Sequence, residues 1–168
     1  DNYFEGKYLL ADYFYDKKLR EKLTKKTISI LDKMFFKTWL IKDKPPKDFP
    51  EDISEWTDLA SIPRSKRNFV VKMAGNHPDA SWAKSVMFLH KKSKVQVRQL
   101  MRSILDSDLK WIIQPFYGNK KITLTYAKED FSDLYLMKGR IRITPYYEYS
   151  SGDLLNAKVT IRKNTLLI

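Results

Sequence analysis

The chain has 168 residues and a mass of 20.0 kDa, enough for one domain or two small lobes, and 43% hydrophobic with 14% aromatic content excludes wholesale disorder. With no cysteine, disulfides and thiolate-bound metals are excluded, and no apolar run reaches the roughly 20 residues that cross a bilayer. The formal net charge of +12 and a pI near 9.7 favour polyanionic partners such as nucleic acid, nucleotides, acidic metabolites or an anionic surface, although a lysine-rich composition serving solubility alone has the same charge.

Residues 1–15 are rich in aromatics (Tyr3, Phe4, Tyr8, Tyr13, Phe14, Tyr15) without a clear period, and they fit a lead-in or a short helix. Their acidic, aromatic start lacks the composition of a signal peptide, so a cytoplasmic location is the expectation. Over 17–32, Leu19, Leu23, Ile30 and Leu31 fall near one helical face. The run MFFKTWLI over 34–41 has the β-formers of a buried strand. Pro45, Pro46 and Pro50 mark a loop, and 51–60 predicts a short helix through Ile53, Trp56 and Leu59. Residues 64–67 are a basic turn leading into a strand over 68–73.

The stretch 68–89, NFVVKMAGNHPDASWAKSVMFL, is the most informative. A β-branched run ends near Lys72, a polar turn follows with Gly75, His77, Pro78, Asp79, Ser81 and Lys84, and 86–89 predicts a returning strand. Backbone N–H groups of such a turn, with one lysine on its rim, neutralise phosphate oxygens without further special side chains. An ordinary hairpin with a long loop has the same pattern. Basic density peaks on both sides, over 64–72 and 90–102, which favours an anion site between them.

Ser93 and Gln96 form a capping-box signature, and Val97, Leu100, Met101, Ile104 and Leu105 keep the spacing of an amphipathic helix. A buried strand is predicted over 110–117, stopped by Pro115 and followed by a Gly118-Asn119 turn. Residues 121–127 alternate like a strand with one exposed face. In 139–149, Arg140 and Arg142 share one face and Ile141 and Ile143 the other; a turn over 150–153 returns the chain through 155–161 to Arg162. The order predicts an α+β fold with mixed sheets covered by helices on one face. His77 and His90 are too few and too separated to argue a histidine site. No metal-hydrolase spacing, nucleophile elbow, Walker loop or dinucleotide fingerprint occurs.

Taken in order, TWLI, FVVKMAGNHPDASWAKSVMFL, the helix after Ser93, WIIQPFY, GRIRITPYYEY and KVTIRKN resemble the ATP-grasp superfamily of carboxylate ligases, in its circularly permuted, glutathionylspermidine-synthase-like form. The resemblance covers residue 34 to the end. It implies an α+β fold of two small lobes with mixed or antiparallel sheets around a nucleotide cleft: a lead-in and helix over 1–33, a smaller lobe over 34–109 with its phosphate loop at 75–85, and an antiparallel-strand lobe over 110–168. It also implies that Lys72 contacts nucleotide phosphate, that the loop bearing Gly75, Ser81 and Lys84 folds over the phosphates, and that the strand of Gln114 and Phe116 reads the adenine edge. A Gln114 buried between Ile113 and Phe116 needs a hydrogen-bonding partner, either adenine or the neighbouring backbone. Arg140, Arg142 and Arg162 correspond to basic residues near the phosphates or the acyl intermediate.

The implied cofactors are ATP and Mg²⁺, and the implied reaction is ligation of an unidentified carboxylate to an amine or thiol through an acyl phosphate. Metal ligands do not follow from the motifs; Glu148, Asp153 and Asn164 are the nearby candidates. The loop 75–85 has a single glycine, and the family's closing segment and acceptor-substrate domain have no counterpart, so a partial or degenerate module that binds without turnover is also expected. The alternative is a basic nucleic-acid-binding module without catalysis. A third reading is a protein-interaction domain that uses the aromatic N-terminus.

Overall fold

A computed structural model of the chain describes residues 6–75, 77–80, 84–118, 121–127, 133–148, 151 and 153–162, with the side chains at 142, 147, 161 and 162 left aside. The architecture is α+β, in two units: Asp1–Tyr117 and Gly118–Ile168. The first contains α1 (Gly6–Tyr15), α2 (Lys17–Glu21), α3 (Lys25–Met34), β1 (Trp39–Leu40), β2 (Phe69–Ala74), β3 (Met87–Phe88), α4 (Lys94–Leu105) and β4 (Lys110–Pro115). Short 3-10 turns at Trp56–Ala60, Pro78–Ala80 and Leu89–Lys91 connect them. Its antiparallel sheet has the order β1–β4–β2–β3.

Alternation along β2 and β4 gives this sheet two faces. Phe69, Val71 and Met73 join Trp111 and Ile113 on one, where they pack with Val97, Met101 and Ile104 of α4 and with Phe49, Trp56 and Leu59. Helix α4 starts where the sequence predicts: Ser93 N–H donates to Gln96 Oε1 at 2.8 Å, and Gln96 N–H donates to Ser93 Oγ at 3.2 Å. On the other face, Ala74 and Ile112 pack against Ala11 of α1, with Tyr8 and Leu40 alongside. The sheet is antiparallel rather than mixed, and helices cover both faces rather than the expected one, since α1 folds back onto the side opposite α4. The central strands accordingly show near-continuous burial.

Several predicted boundaries shift for local reasons. The helix expected over 17–32 is two helices, because Thr24 Oγ1 takes the N–H of Thr27 and starts a new N-cap. The strand expected over 34–41 shrinks to Trp39–Leu40, since Met34 closes α3 and Phe35 N–H still bonds to Leu31. Over 51–60 only Trp56–Ala60 is helical, held by Asp58, whose carboxylate accepts from the N–H groups of Ser54 and Glu55. The unit boundary falls after Tyr117 rather than after 109, because β4 pairs with β2 from Lys110 to Pro115. Part of the aromatic opening joins the packed structure: Tyr13 is buried, edge-on to Phe14 and Phe35, and its hydroxyl donates to Asp32 at 2.8 Å.

The second unit is a single antiparallel sheet in the order β5 (Ile122–Ala127), β6 (Leu134–Tyr147), β7 (Leu154–Arg162). β6 pairs with β5 over 134–139 and with β7 over 140–147. Ile143 and Val159, opposite each other in this register, are 62% and 55% exposed, so the apolar face of the hairpin stands open.

The basic turn before β2 has a structural purpose. Arg67 is 0% exposed and meets only backbone carbonyls: Ala60 and Ile62 from Nη2 at 3.2 and 2.7 Å, Ile62 from Nε at 3.1 Å, and Lys92 from Nη1 at 3.1 Å, with a longer 3.5 Å approach to Leu89. Burial, with the Arg64 charge beside it, pulls the guanidinium below its ordinary pKa. Arg64 itself donates to the carbonyls of Lys91 and Lys92. Replacing Arg67 with Met strands these carbonyls without donors, and a loss of about 3 kcal/mol or more in urea unfolding is expected, with m unchanged. Arg67→Lys should recover little of it, since one ammonium does not span the fork of a guanidinium. A loss under 1 kcal/mol in either variant would contradict this role.

Candidate functional site

The candidate site lies on the α1-facing side of the first unit's sheet. Register sets Gln114 of β4 opposite Val70 of β2, and Lys72 opposite Ile112, so Lys72 and Gln114 are diagonal neighbours on one face. Lys72 Nζ donates to Gln114 Oε1 at 2.9 Å, Gln114 Nε2 donates to Thr38 Oγ1 at 2.7 Å, and Thr38 Oγ1 donates to the Phe36 carbonyl at 2.9 Å. Thr38 is 0% and Gln114 6% exposed, so this is a buried polar row ending on a half-buried ammonium. The amide of Gln114 therefore has protein partners at both ends. The backbone partner expected for it is replaced by two side chains, because strand register brings Lys72 and Thr38 to the amide.

Lys72 differs from an ordinary paired lysine. Burial, then the charge of Lys7, hold its pKa below the usual lysine range. Among the described residues no carboxylate pairs with it; its partner is a neutral amide. Lys7, in the first turn of α1, donates to the carbonyls of Met73, at 2.8 Å, and Ala80.

The remaining residues of the expected phosphate loop are spread out. Gly75 ends β2 with φ +97°, a backbone state that glycine adopts without strain, and an added Cβ there meets nothing within 4 Å; the turn, rather than crowding, requires the glycine. Lys84 is exposed, its Nζ 4.0 Å from Asp79 Oδ1. Ser81 lies outside the described residues. Ser85 is buried and accepts the N–H of Met73 at 3.3 Å.

Phe116 belongs to a ring cluster. It meets Phe88 edge-on at 4.9 Å and stacks on His90 at 5.1 Å, while Lys91 Nζ lies 4.9 Å from the Phe88 ring centre. The Nδ1 of His90 is buried without a hydrogen-bond partner among the described residues. Thr38, Lys7 and His90 thus join the site although the sequence reading assigned them no role. Neither Thr38 nor Lys7 had a local signal, because the amide partner of Thr38 is 76 residues away and the partners of Lys7 are 66 and 73 residues away.

Arg140, Arg142 and Arg162 are in the second unit. Register pairs Arg140 with Arg162 and Arg142 with Thr160, which sets the three arginine positions on one face of the β6–β7 ladder. Glu148 and Asp153 share the end of that hairpin through a 2.9 Å backbone bond, and the Glu148 carboxylate accepts from Ser151 Oγ; Asn164 lies outside the described residues. No three His, Cys, Asp or Glu side chains among the described residues converge as a group that could hold a metal ion. No helix among them is long and apolar enough to cross a membrane. Two cavities of the first unit, of about 180 and 420 Å³, lie elsewhere; Lys110, on the wall of the larger, is held over the Tyr8 ring at 3.9 Å.

His90 makes the ring cluster pH-sensitive. Burial, then the Lys91 charge, hold its pKa below 6.5, so the folded chain binds fewer protons than the unfolded chain between those two values. Stability is full above pH 6.5 and falls as pH drops through the folded value. In chemical denaturation the fall between pH 7.5 and 5 is expected to be smaller for His90→Phe than for the parent chain; equal falls would remove His90 as a contributor.

No family model matches the chain, and neither curated proteins nor solved structures show a significant match to it.

Proposed function

We propose that the chain is the ATP-binding module of an ATP-grasp carboxylate–amine, or carboxylate–thiol, ligase, with Lys72 as its phosphate-contacting cation. One observation carries the reading: a half-buried ammonium held by a neutral amide, with no carboxylate partner among the described residues. Buried charges are ordinarily paired, and a polyphosphate supplies the missing counter-charge. The three donors of Lys72 allow phosphate oxygens to be added while the Gln114 bond stays in place, so Gln114 aims the lysine. In the implied chemistry a substrate carboxylate oxygen attacks the γ-phosphorus and ADP leaves. An amine then displaces phosphate from the acyl phosphate, giving amide, ADP and phosphate. Mg²⁺ enters as the ion that the nucleotide carries.

Millimolar MgATP is expected to raise the melting temperature by several °C, on the order of what saturation far above Kd produces. Lys72→Ala should abolish the rise, and so should Gln114→Glu, which sets a carboxylate against Lys72. No rise in the folded parent chain would overturn the reading.

A second reading, a basic nucleic-acid-binding module, is favoured by the β6–β7 ladder: the exposed Lys138 and Lys158 share a face with the positions of Arg140, Arg142 and Arg162. It expects single-stranded oligonucleotide binding that weakens steeply between 50 and 200 mM salt, a range over which phosphate contacts lose roughly a thousandfold or more. Binding that is flat across that range would exclude it.

A further inference from the structure

Helix α1 precedes the stretch that carries the family resemblance, yet it packs on the sheet face of Lys72 and Gln114, through Ala11 on Ala74 and Ile112. Beyond Val71 the edge of β2 has lost β3 as a partner, and side chains take over its backbone groups. Met73 N–H donates to Ser85 Oγ, and the Met73 carbonyl accepts from Lys7 Nζ. The same ammonium donates to the Ala80 carbonyl, at the end of the 3-10 turn that follows β2. A cation in the first turn of a helix opposes the helix dipole, so Lys7 is not placed there by the needs of α1. Its bonds to Met73 bring it to the residue next to Lys72, and its charge acts on that lysine.

We propose that Lys7 is a second cation of the Lys72 anion site and binds the polyphosphate of a nucleotide together with it. This rests on the reading that the Lys72 end of the sheet takes nucleotide phosphate. Two ammonium groups arrive from different elements, one held by an amide oxygen and the other donating to carbonyls. A phosphate oxygen is a stronger, charge-assisted acceptor than either, and an ammonium exchanges one acceptor for another by rotating its three donors. A polyphosphate relieves the repulsion between the two lysines, whereas a neutral nucleoside does not. The ligand class is therefore di- or triphosphate, with affinity residing in the phosphates.

Calorimetry of the full chain with inorganic tripolyphosphate, MgATP and adenosine tests this. Lys7→Met should weaken tripolyphosphate and MgATP roughly tenfold to a hundredfold, Lys72→Met should do the same, and Lys7→Arg should retain most of the affinity. Unchanged affinity in Lys7→Met, alongside loss in Lys72→Met, overturns the role of Lys7 and leaves the nucleotide reading standing. Absence of binding by the parent chain overturns both. Should Lys7→Met not fold, the side-chain NMR signals of Lys7 and Lys72 in the parent chain decide: they should shift with one saturation curve as tripolyphosphate is added. A Lys7 signal that stays fixed while that of Lys72 moves overturns the proposal.

Discussion

The guanidinium of Arg67, sealed away from water and satisfied by backbone carbonyls alone, constrains the first unit more than any other contact. Its acceptors come from the turn at Trp56–Ala60, from Ile62, and from the segment Leu89–Lys92 that leads into α4. Leaving any of them without a donor costs the desolvation of a carbonyl, so three segments are held to a residue two positions before β2. With that start held, the side-chain alternation of β2 is set: Phe69, Val71 and Met73 face the α4 core, and Val70, Lys72 and Ala74 face α1. A slip of one residue would exchange the two sets and bury Lys72 in an apolar core.

The two faces of the sheet do different physical work. Against α4 the contact is mainly apolar, although the indole N–H of Trp111 is buried there without a partner among the described residues. Against α1 the face is divided. Ala74 and Ile112 pack on Ala11, while Lys72, Gln114 and Thr38 form a polar row whose members satisfy one another. A neutral amide bond leaves the charge of the Lys72 ammonium uncancelled, and burial, then the charge of Lys7, hold its pKa low. The basic density around the opening motif divides in the same way. Arg64 and Arg67 are used by backbone carbonyls, whereas Arg98 and Arg102 lie exposed on α4.

Much of the fold was legible because it is written in short-range patterns. The capping box at Ser93, the apolar stripe of α4, the β-branched run of β2 and the positions of β4, β5 and β7 all follow from neighbours within about eight residues. Strand β6 instead starts at Leu134, five residues before the strand expected from 139, because pairing with β5 extends it. The break between α2 and α3 was missed because the overall apolar spacing outweighed a local signal, a threonine three residues before another N–H. Of the site, Lys72 and Gln114 were legible as residue types that sit uneasily in apolar strands, and their mutual contact was not. Ser81 and the side chains of Arg142 and Arg162 lie outside the described residues.

By itself, then, the sequence determined which segments become helix or strand, and that a lysine and a glutamine lie within two buried strands, since periodicity and capping act over a turn or a few residues. Tertiary structure alone decided that these two side chains meet, that Thr38 completes their row, that Arg67 serves carbonyls rather than anions, and that Lys7 reaches the end of β2. Each of those contacts joins residues at least five apart, and most join residues tens of positions apart, so strand register and helix docking set them, not local sequence.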